Sequence, residues 1–255
     1  MKKKYKIFIA KIISFFLLIF YPKSNFVKRN NINWSLNLDE GIDLSIFLFG
    51  TSEKKIFNIT NILNQNEELI FLDIGANIGS VSLPLARIFP KCRIYSIEPT
   101  DYAFNKFKKN LSLNQDLIHR IFLNQLFISN KKKPTKVWSS WKLSDNTKAH
   151  DKHKGQLKLI KKDSYISLDN FIKNNEIENI DFIKLDVDGY ELDVLQSGLN
   201  FLKNHKPLIF MEFAPYLYPE FGYTYHDIIK ILKKIGYNFF DEELIKINDI
   251  EKYAL

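Results

Sequence analysis

The 255-residue sequence contains a single cysteine, Cys92, and this scarcity excludes two kinds of protein architecture. One thiol cannot form an internal disulfide framework, nor can it build a zinc site that needs several cysteines. The five histidines offer no pair at a spacing typical of metal ligands. So few thiols fit a reducing compartment, and we expect a cytoplasmic protein.

The sequence also lacks an apolar run long enough to cross a bilayer, although its N-terminus carries a shorter one. Residues 1–6 are basic, residues 7–21 are apolar apart from Lys11 and Ser14, and the uninterrupted uncharged run is 12–22. Spanning needs roughly 18 to 20 residues, and no small-residue cleavage site follows. We favour a helix that lies in the membrane interface or packs on the protein's own core. An uncleaved anchor and a cleaved signal peptide are the alternatives.

Acidic residues are fewer than basic residues, with 29 Asp and Glu against 37 Lys and Arg, which gives a net charge of +8. This balance suggests an anionic partner or surface. A general enrichment in Lys, Ile, Asn and Phe offers a second explanation, in which the charge reflects composition alone. No separate RNA-binding module is recognisable, so we expect no nucleic-acid partner.

The length fits one large globular domain with extensions, and 37 aromatic residues are enough for a sizeable core. We divide the chain into a membrane-proximal segment and linker at 1–33, an N-terminal lead at 34–66 and a main domain at 67–255. In the main domain, strands alternate with helices, and 121–128 is the third strand. This order predicts a doubly wound, mainly parallel α/β sheet with helices on both faces. A basic insertion at 129–162 interrupts it and reads as a β-hairpin with a loop.

Shorter segments complete the predicted secondary structure. Residues 44–49 form a strand candidate, and 191–202 reads as one helix. The segment 224–235 reads as a helix with a Thr-x-x-Asp start and a glycine at its end. Residues 237–240 and 244–247 are candidates for closing edge strands.

The turn after the strand at 69–74 lacks the middle glycine of a dinucleotide fingerprint. It reads Gly-Ala-Asn-Ile-Gly at 75–79, whereas a pyrophosphate needs a further glycine to approach the backbone. The acid before the turn, Asp73, suits an amino group and a sulfonium better than it suits phosphates, and N–H groups of the turn could bind a carboxylate. The turn therefore favours S-adenosylmethionine, with a nicotinamide-dependent oxidoreductase as the alternative.

Acids follow or end four of the predicted strands, and the carboxyl ends of parallel strands meet at one edge of a sheet. These acids are Asp73, Glu98, the pair Asp186 and Asp188, and Glu212. Converging carboxylates repel one another unless a positive group or hydrogen-bond donors lie among them, so the pattern predicts a ligand site. Glu98 lies 19 residues after Gly79, where such folds place a carboxylate on ribose hydroxyls.

At these positions the sequence resembles the FkbM-type methyltransferases. The resemblance covers roughly 43–237, and its segments are Asp-Ile-Gly-Ala-Asn-Ile-Gly at 73–79, Ile-Glu-Pro at 97–99, Ile-Lys-Leu-Asp-Val-Asp-Gly-Tyr-Glu at 183–191 and Glu-Phe-Ala-Pro at 212–215. The family usually has glutamate at the position of Asp188, so the carboxylate here is one methylene shorter. The resemblance implies S-adenosylmethionine-dependent O-methylation of a small molecule or glycan, with a sugar-like acceptor favoured.

The strand-end pattern and the resemblance together predict the cofactor-binding residues. These are Asp73, Gly75, Ala76, Asn77, Gly79, Glu98, Asn130 and Asp186. Glu98 is assigned to the ribose hydroxyls. The resemblance alone implies Asn130, as a contact with the adenine.

An alcohol becomes a good nucleophile once a nearby group accepts its proton, and two acids are candidates for this base. They are Asp188 and Glu191, although Glu191 could equally be an acid that only favours the start of a helix. Asp186 and Glu212 on adjacent strand ends could hold Mg²⁺, by fold-level analogy with catechol-type O-methyltransferases.

The acceptor pocket is expected in the loops, namely the insertion at 129–162, the segment 215–223 and the N-terminal lead. A basic insertion could recruit an anionic or lipid-linked acceptor, and a solvated loop is the other interpretation. Residues 1–22 are expected to contact a membrane surface. A non-catalytic, membrane-associated binding module is a further alternative.

Overall fold

The computed structural model describes residues 3–22, 24–130, 136–139, 143, 156–159 and 164–253. In chain order its elements are α1 (Lys3–Phe20), β1 (Ser24–Arg29), β2 (Ile32–Asn37), α2 (Gly41–Phe49), β3 (Ile70–Ile74), α3 (Ser82–Ile88), β4 (Arg93–Ile97), α4 (Asp101–Ser112), β5 (Ile121–Asn124), β6 (Phe127–Ile128), β7 (Lys136–Ser139), β8 (Gln156–Leu159), β9 (Tyr165–Ile166), α5 (Leu168–Asn174), β10 (Phe182–Leu185), α6 (Glu191–Ser197), α7 (Leu199–His205), β11 (Leu208–Met211), α8 (Tyr225–Lys234) and α9 (Ile250–Tyr253). Segments of 3₁₀ helix occur at Lys54–Asn61, Gln115–Leu117 and Tyr218–Phe221.

The central sheet has five strands in the order β11-β10-β3-β4-β5, and each neighbouring pair is parallel. The predicted α/β fold with a mainly parallel sheet is confirmed. The chain runs outward from β3 through β4 to β5 and then returns to β10 on the other side of β3. Loops that leave such a reversal point in opposite directions open a crevice between them. A ligand site is therefore expected beyond the ends of β3 and β10.

Alternate residues of the strands enter two apolar clusters, one on each face of the sheet. Phe71 and Phe182 belong to the first cluster, together with Trp34 from the N-terminal lead. Leu72 and Ile183, their immediate neighbours, belong to the second. Side chains alternate between the faces of a strand, so both faces are covered, as a parallel sheet requires.

Two N-terminal predictions were wrong. Residues 44–49, predicted as a strand, belong to helix α2, where buried Leu44 and Phe47 follow a helical spacing. Part of the expected linker is the β1–β2 hairpin. Asn30 and Asn31 connect its strands with φ of 50° and 59°, the backbone that a two-residue hairpin turn needs.

In the main domain, one helix and one strand that were predicted to be continuous are each divided in the structure. The expected helix at 191–202 is divided into α6 and α7 at Gly198, where a Cβ would lie 2.4 Å from the side chain of Leu168. The expected strand at 121–128 is divided as well. Its first half, β5, stays in the central sheet, whereas β6 pairs with β9 in a separate two-stranded sheet.

The helix predicted at 224–235 is confirmed as α8, with a capping box between Thr224 and Asp227. The prediction of closing edge strands at 237–240 and 244–247 is wrong. These two segments form an isolated antiparallel bridge between Phe240 and Lys246 instead of strands. In the insertion, the predicted hairpin is confirmed by the antiparallel pairing of β7 with β8. Most of the insertion's lysines and Trp141 lie outside the described residues.

None of the helices in the part of the chain that the structure describes is long and apolar enough to cross a membrane.

Candidate functional site

The turn after β3 lies directly against the backbone of the loop after β10. A Cβ at position 75 would lie only 1.8 Å from the carbonyl oxygen of Asp186, and Gly75 has a φ of +83°. The N–H of Asp186 in turn donates to the carbonyl of Ile74 at 3.1 Å. Both the close approach and the left-handed backbone require glycine at position 75. The two loops that border the predicted crevice are therefore held together.

Several N–H groups of the turn have acceptors within the protein. Those of Gly75 and Ala76 donate to the carbonyl of Ile97 at 2.9 and 3.0 Å, and that of Asn77 donates to Glu98 at 3.0 Å. Each of these three N–H groups therefore already has an acceptor within the protein. They hold the turn in shape.

Glu98 joins the end of β4 to this turn, and its carboxylate keeps a hydrogen-bond acceptor position for a ligand. One carboxylate oxygen accepts the N–H of Asn77, and the other accepts the N–H and the hydroxyl of Thr100 at 2.9 and 2.5 Å. Burial raises the pKa of Glu98, and these hydrogen bonds oppose the rise. A carboxylate offers about four acceptor positions, so one remains for a hydroxyl such as that of a ribose.

Asp73 lies inside β3, beneath the turn, and its side chain is only 1% exposed. One carboxylate oxygen accepts the hydroxyl of Ser82 at 2.5 Å. The other has no hydrogen-bond partner among the described residues and lies 3.7 Å from Nζ of Lys184. Burial raises the pKa of Asp73, while Lys184 and Ser82 oppose the rise. The structure thus places Asp73 below the crevice rather than on its surface.

Lys184 is the positive group that converging acids need, although it was not among the predicted site residues. This buried residue of β10 donates from Nζ to the carbonyl of Gly75 at 2.8 Å and lies 3.2 Å from Asp186. Burial alone would lower the pKa of Lys184, but the carboxylates of Asp186, Glu53 and Asp73 outweigh it and hold the pKa above its ordinary value. The available signal was a single lysine within an apolar strand.

Glu53 is a second residue of the site that was not predicted from the sequence. It precedes the 3₁₀ segment of the N-terminal lead, yet Lys184, Asp186 and Asp73 all act on its ionisation. Burial raises its pKa to about 7, and Lys184 opposes the rise. Nothing in the local sequence marks this glutamate, because only the tertiary structure brings the lead to the end of β10.

Three carboxylates meet beyond β10 and β11. Ligand oxygens of Asp186, Asp188 and Glu212 lie within 4.8 Å of one another. The charge of Asp186, followed by burial, raises the pKa of Glu212 to about 9. Burial alone would raise the pKa of Asp186, but Lys184 and a hydrogen bond with Glu212 lower it. Within this pair, Asp186 is therefore the stronger acid and Glu212 the carboxyl that binds a proton more readily.

Asp188 sits at the tip of the same loop with a φ of +49°, an uncommon backbone for a residue other than glycine. Its side chain is half-buried. Burial, followed by the charges of Asp186 and Glu191, raises its pKa to about 7. The carboxylate of Asp188 therefore changes its protonation state near neutral pH.

Glu191 is enclosed by the loop that carries Asp188, with 1% of its side chain exposed. Its carboxylate accepts the N–H groups of Val187 and Gly189 at 3.2 and 3.1 Å. The hydroxyl of Tyr223 donates to the carbonyl of Gly189 at 2.8 Å and lies 3.3 Å from the same carboxylate. Glu191 therefore holds the loop in place, whereas Asp188 is the more accessible of the two candidate bases.

Asn130 is exposed and follows β6, which pairs outside the central sheet. Its neighbour Ser129 donates from its hydroxyl to Asp193 of α6 at 2.5 Å. Among the described residues, no hydrogen bond joins Asn130 to Glu98. The structure therefore does not connect the residue predicted to contact the adenine with the residue predicted to bind the ribose.

Comparisons with known proteins place the same residues in one family. A family model described as the methyltransferase FkbM domain matches residues 73–239. The 2-O-methyltransferase NoeI of Sinorhizobium fredii is 26% identical over 161 residues, which cover 58% of this chain and 65% of that protein. The match therefore spans less than two thirds of this relative's length.

Two solved structures to which this chain is similar follow, both with TM-scores below 0.5. The crystal structure of methyltransferase FkbM from Methylobacillus flagellatus has a TM-score of 0.48 and 19% identity, over 72% of this chain and 42% of that one. M. jannaschii TYW2 in complex with AdoMet has a TM-score of 0.42 and 14% identity, over 87% of this chain and 77% of that one.

Proposed function

This chain belongs to the FkbM methyltransferase family, and on that premise we propose that it transfers the methyl group of S-adenosylmethionine to a hydroxyl oxygen. The observation that carries the proposal is the group of Glu98, Lys184 and Asp186 around one glycine turn, at the reversal point of the sheet. Similarity to a 2-O-methyltransferase supports oxygen as the acceptor atom. The acceptor is a small molecule or glycan, with a sugar-like hydroxyl favoured.

The residues of the crevice suit a donor with hydroxyl groups at one end and positive charge at the other. Glu98 has an acceptor position for a ribose hydroxyl. Asp186 is ionised and its side chain is 29% exposed, so it can bind a positive group. The positive charge of Lys184, 3.2 Å away, stabilises the ionised form of Asp186. When bound, S-adenosylmethionine supplies a methyl group on a positively charged sulfur.

The chain's remaining task is to align the acceptor oxygen and to take its proton. Methyl transfer needs the nucleophile in line with the methyl group, and a dry, well-oriented site supplies this alignment. Asp188 would accept the proton, since a base with a pKa near the working pH is the most effective. Glu191 and Tyr223 would act as positioning residues that fix the loop of Asp188.

Calorimetry of the full chain tests the donor assignment directly. S-adenosylmethionine and S-adenosylhomocysteine are expected to bind, and NAD is not. Methyl-labelled donor incubated with glycan, lipid and small-molecule extracts then locates the acceptor, whose mass increases by one CH₂ unit. Tight binding of NAD alone would favour the oxidoreductase. Donor binding without transfer to any extract would favour a non-catalytic module.

Glu98→Gln is expected to weaken donor binding about 10- to 100-fold, because a hydrogen bond to a charged group is lost and the new amide NH₂ opposes the existing donors. Titration calorimetry measures the change. Glu68→Gln, an exposed position two residues before β3, makes the same chemical change away from the crevice and should leave the affinity unaltered. If the unchanged protein, Glu98→Gln and Glu68→Gln all bound the donor with equal affinity, the donor site would lie elsewhere.

Removing divalent cations with EDTA is expected to leave turnover unchanged. Lys184 already lies 3.2 Å from Asp186, and the pKa of Glu212 is raised to about 9, so the cluster presents less negative charge to a cation than three free carboxylates would. Turnover is measured with and without added Mg²⁺ after EDTA treatment. Activity that falls with EDTA and returns with Mg²⁺ would assign a cation to Asp186 and Glu212 instead.

A lipid-linked acceptor would suit an enzyme that sits on the inner face of the membrane. We propose this cytoplasmic, peripheral location together with the methyl transfer.

A further inference from the structure

One face of helix α1 is apolar and exposed along most of the helix. The residues of this face are Ile9, Ile12, Phe15, Phe16, Ile19 and Phe20, with exposed fractions between 41% and 80%. At 3.6 residues per turn they fall within an arc of about 140°. We call this arc the α1 face. Its aromatic and aliphatic composition is unusual for a surface that faces only water.

The opposite side of α1 is attached to the protein. The hydroxyl of buried Ser14 donates to the carbonyl of Leu38 at 2.8 Å, and Leu17 and Leu18 pack against the first apolar cluster. The helix therefore lies along the body of the protein, and this attachment directs the α1 face outward.

The net charge of the protein lies in the same part of the sequence. Residues 1–38 contain eight Lys or Arg and no Asp or Glu, whereas residues 39–255 contain 29 basic and 29 acidic residues. The +8 is therefore a property of the N-terminal segment, and the rest of the chain is neutral. An apolar face in a segment of uniform positive charge is complementary to an anionic lipid surface.

We propose that the α1 face docks the protein on an anionic lipid bilayer, with α1 parallel to the membrane plane. The helix has 18 residues and is about 27 Å long, which is shorter than the hydrocarbon core, and one side of it is held by the protein. Insertion across the bilayer would need this attachment to break, whereas parallel docking keeps it. The surface is separate from the methyl-donor crevice and does not depend on it.

A second copy of the chain is a less favourable occupant of the α1 face. Two such faces in contact would bring together two segments that each carry eight positive charges and no negative ones. Like charges at close range oppose association, and an anionic bilayer has the opposite sign.

Flotation of the full chain with vesicles tests the proposal. Vesicles of phosphatidylcholine with phosphatidylglycerol are expected to bind at least about tenfold more tightly than vesicles of phosphatidylcholine alone, and added salt should reduce this difference. Phe16→Ser with Phe20→Ser should lower binding to the anionic vesicles at least about tenfold, because the apolar contact is lost.

Phe240→Ser with Ile245→Ser is the matched control, since both residues are exposed at 55% and 64% near the C-terminus. This pair should bind vesicles as the unchanged protein does. Calorimetry with S-adenosylmethionine on the same samples reports the crevice separately, so failure of docking and failure of donor binding are distinguishable.

Three results would overturn the proposal. They are equal binding to both kinds of vesicle, equal losses from the α1 and control pairs, and a concentration-dependent dimer that only the α1 pair abolishes. The last result, measured by light scattering, would assign the α1 face to self-association.

Discussion

Replacing Lys184 with methionine is expected to lower the free energy of unfolding by about 3–5 kcal/mol and to abolish donor binding at neutral pH. Nζ of Lys184 lies among the carboxylates of Asp73 and Asp186 and donates to the carbonyl of Gly75. Methionine has a similar length but no charge, so it leaves buried carboxylates without a positive partner. Chemical denaturation measures the stability, and calorimetry measures the donor affinity.

Two further variants make this result specific. Lys203→Met removes an exposed lysine of α7 and should change the stability by no more than about 0.5 kcal/mol. Adding Asp73→Asn to Lys184→Met should restore part of the lost stability, because one uncompensated charge is removed. Full stability of Lys184→Met, or strictly additive effects in the double variant, would contradict the proposed charge network.

Replacing Asp188 with asparagine is expected to reduce kcat about 10²- to 10⁴-fold while donor affinity changes little. Asparagine keeps the shape of the side chain but cannot accept the proton of an acceptor hydroxyl. Asp188→Glu is the matched variant and should retain most of the activity, because it keeps a carboxylate at the same place in the loop. Rates with labelled donor and an extract that contains the acceptor give the comparison. An unchanged rate in Asp188→Asn would exclude Asp188 as the base.

The pH dependence of turnover provides a second readout for Asp188. Burial, followed by Asp186, raises its pKa to about 7, so the residue is protonated and inactive below that pH and ionised above it. We expect kcat/KM to rise with pH and to level off above about 7, as a base requires. The positive sulfur of a bound donor favours the carboxylate, so the rise in kcat should occur at lower pH. Asp188→Asn should lose this rise.

The candidate site was largely predictable from short segments of sequence. The turn at 75–79 and the acids Glu98 and Asp186 each follow an apolar strand, and the strands and helices alternate. These signals are local, because glycine and periodicity act over a few residues. The distinct surroundings of Asp188 and Glu191 were not predictable, since they depend on which carboxylate the loop encloses.

The errors also have a physical cause. Residues 44–49 are apolar enough to form either a strand or a helix. Their packing against the rest of the protein favours the helix. The hairpin at 24–37 was not predicted because its sequence is rich in polar residues, although Trp34 and Leu36 are buried in the core.

By itself the sequence determined the parallel α/β fold, the glycine turn of the candidate site and the family, because all three depend on patterns of adjacent residues. Only the tertiary structure identified Lys184 and Glu53 as members of the site and Glu191 as the residue that holds the loop of Asp188. It also showed which side of α1 is attached to the protein and which side is exposed. Burial and charge pairing join residues that are far apart in the chain, and a linear pattern does not contain those distances.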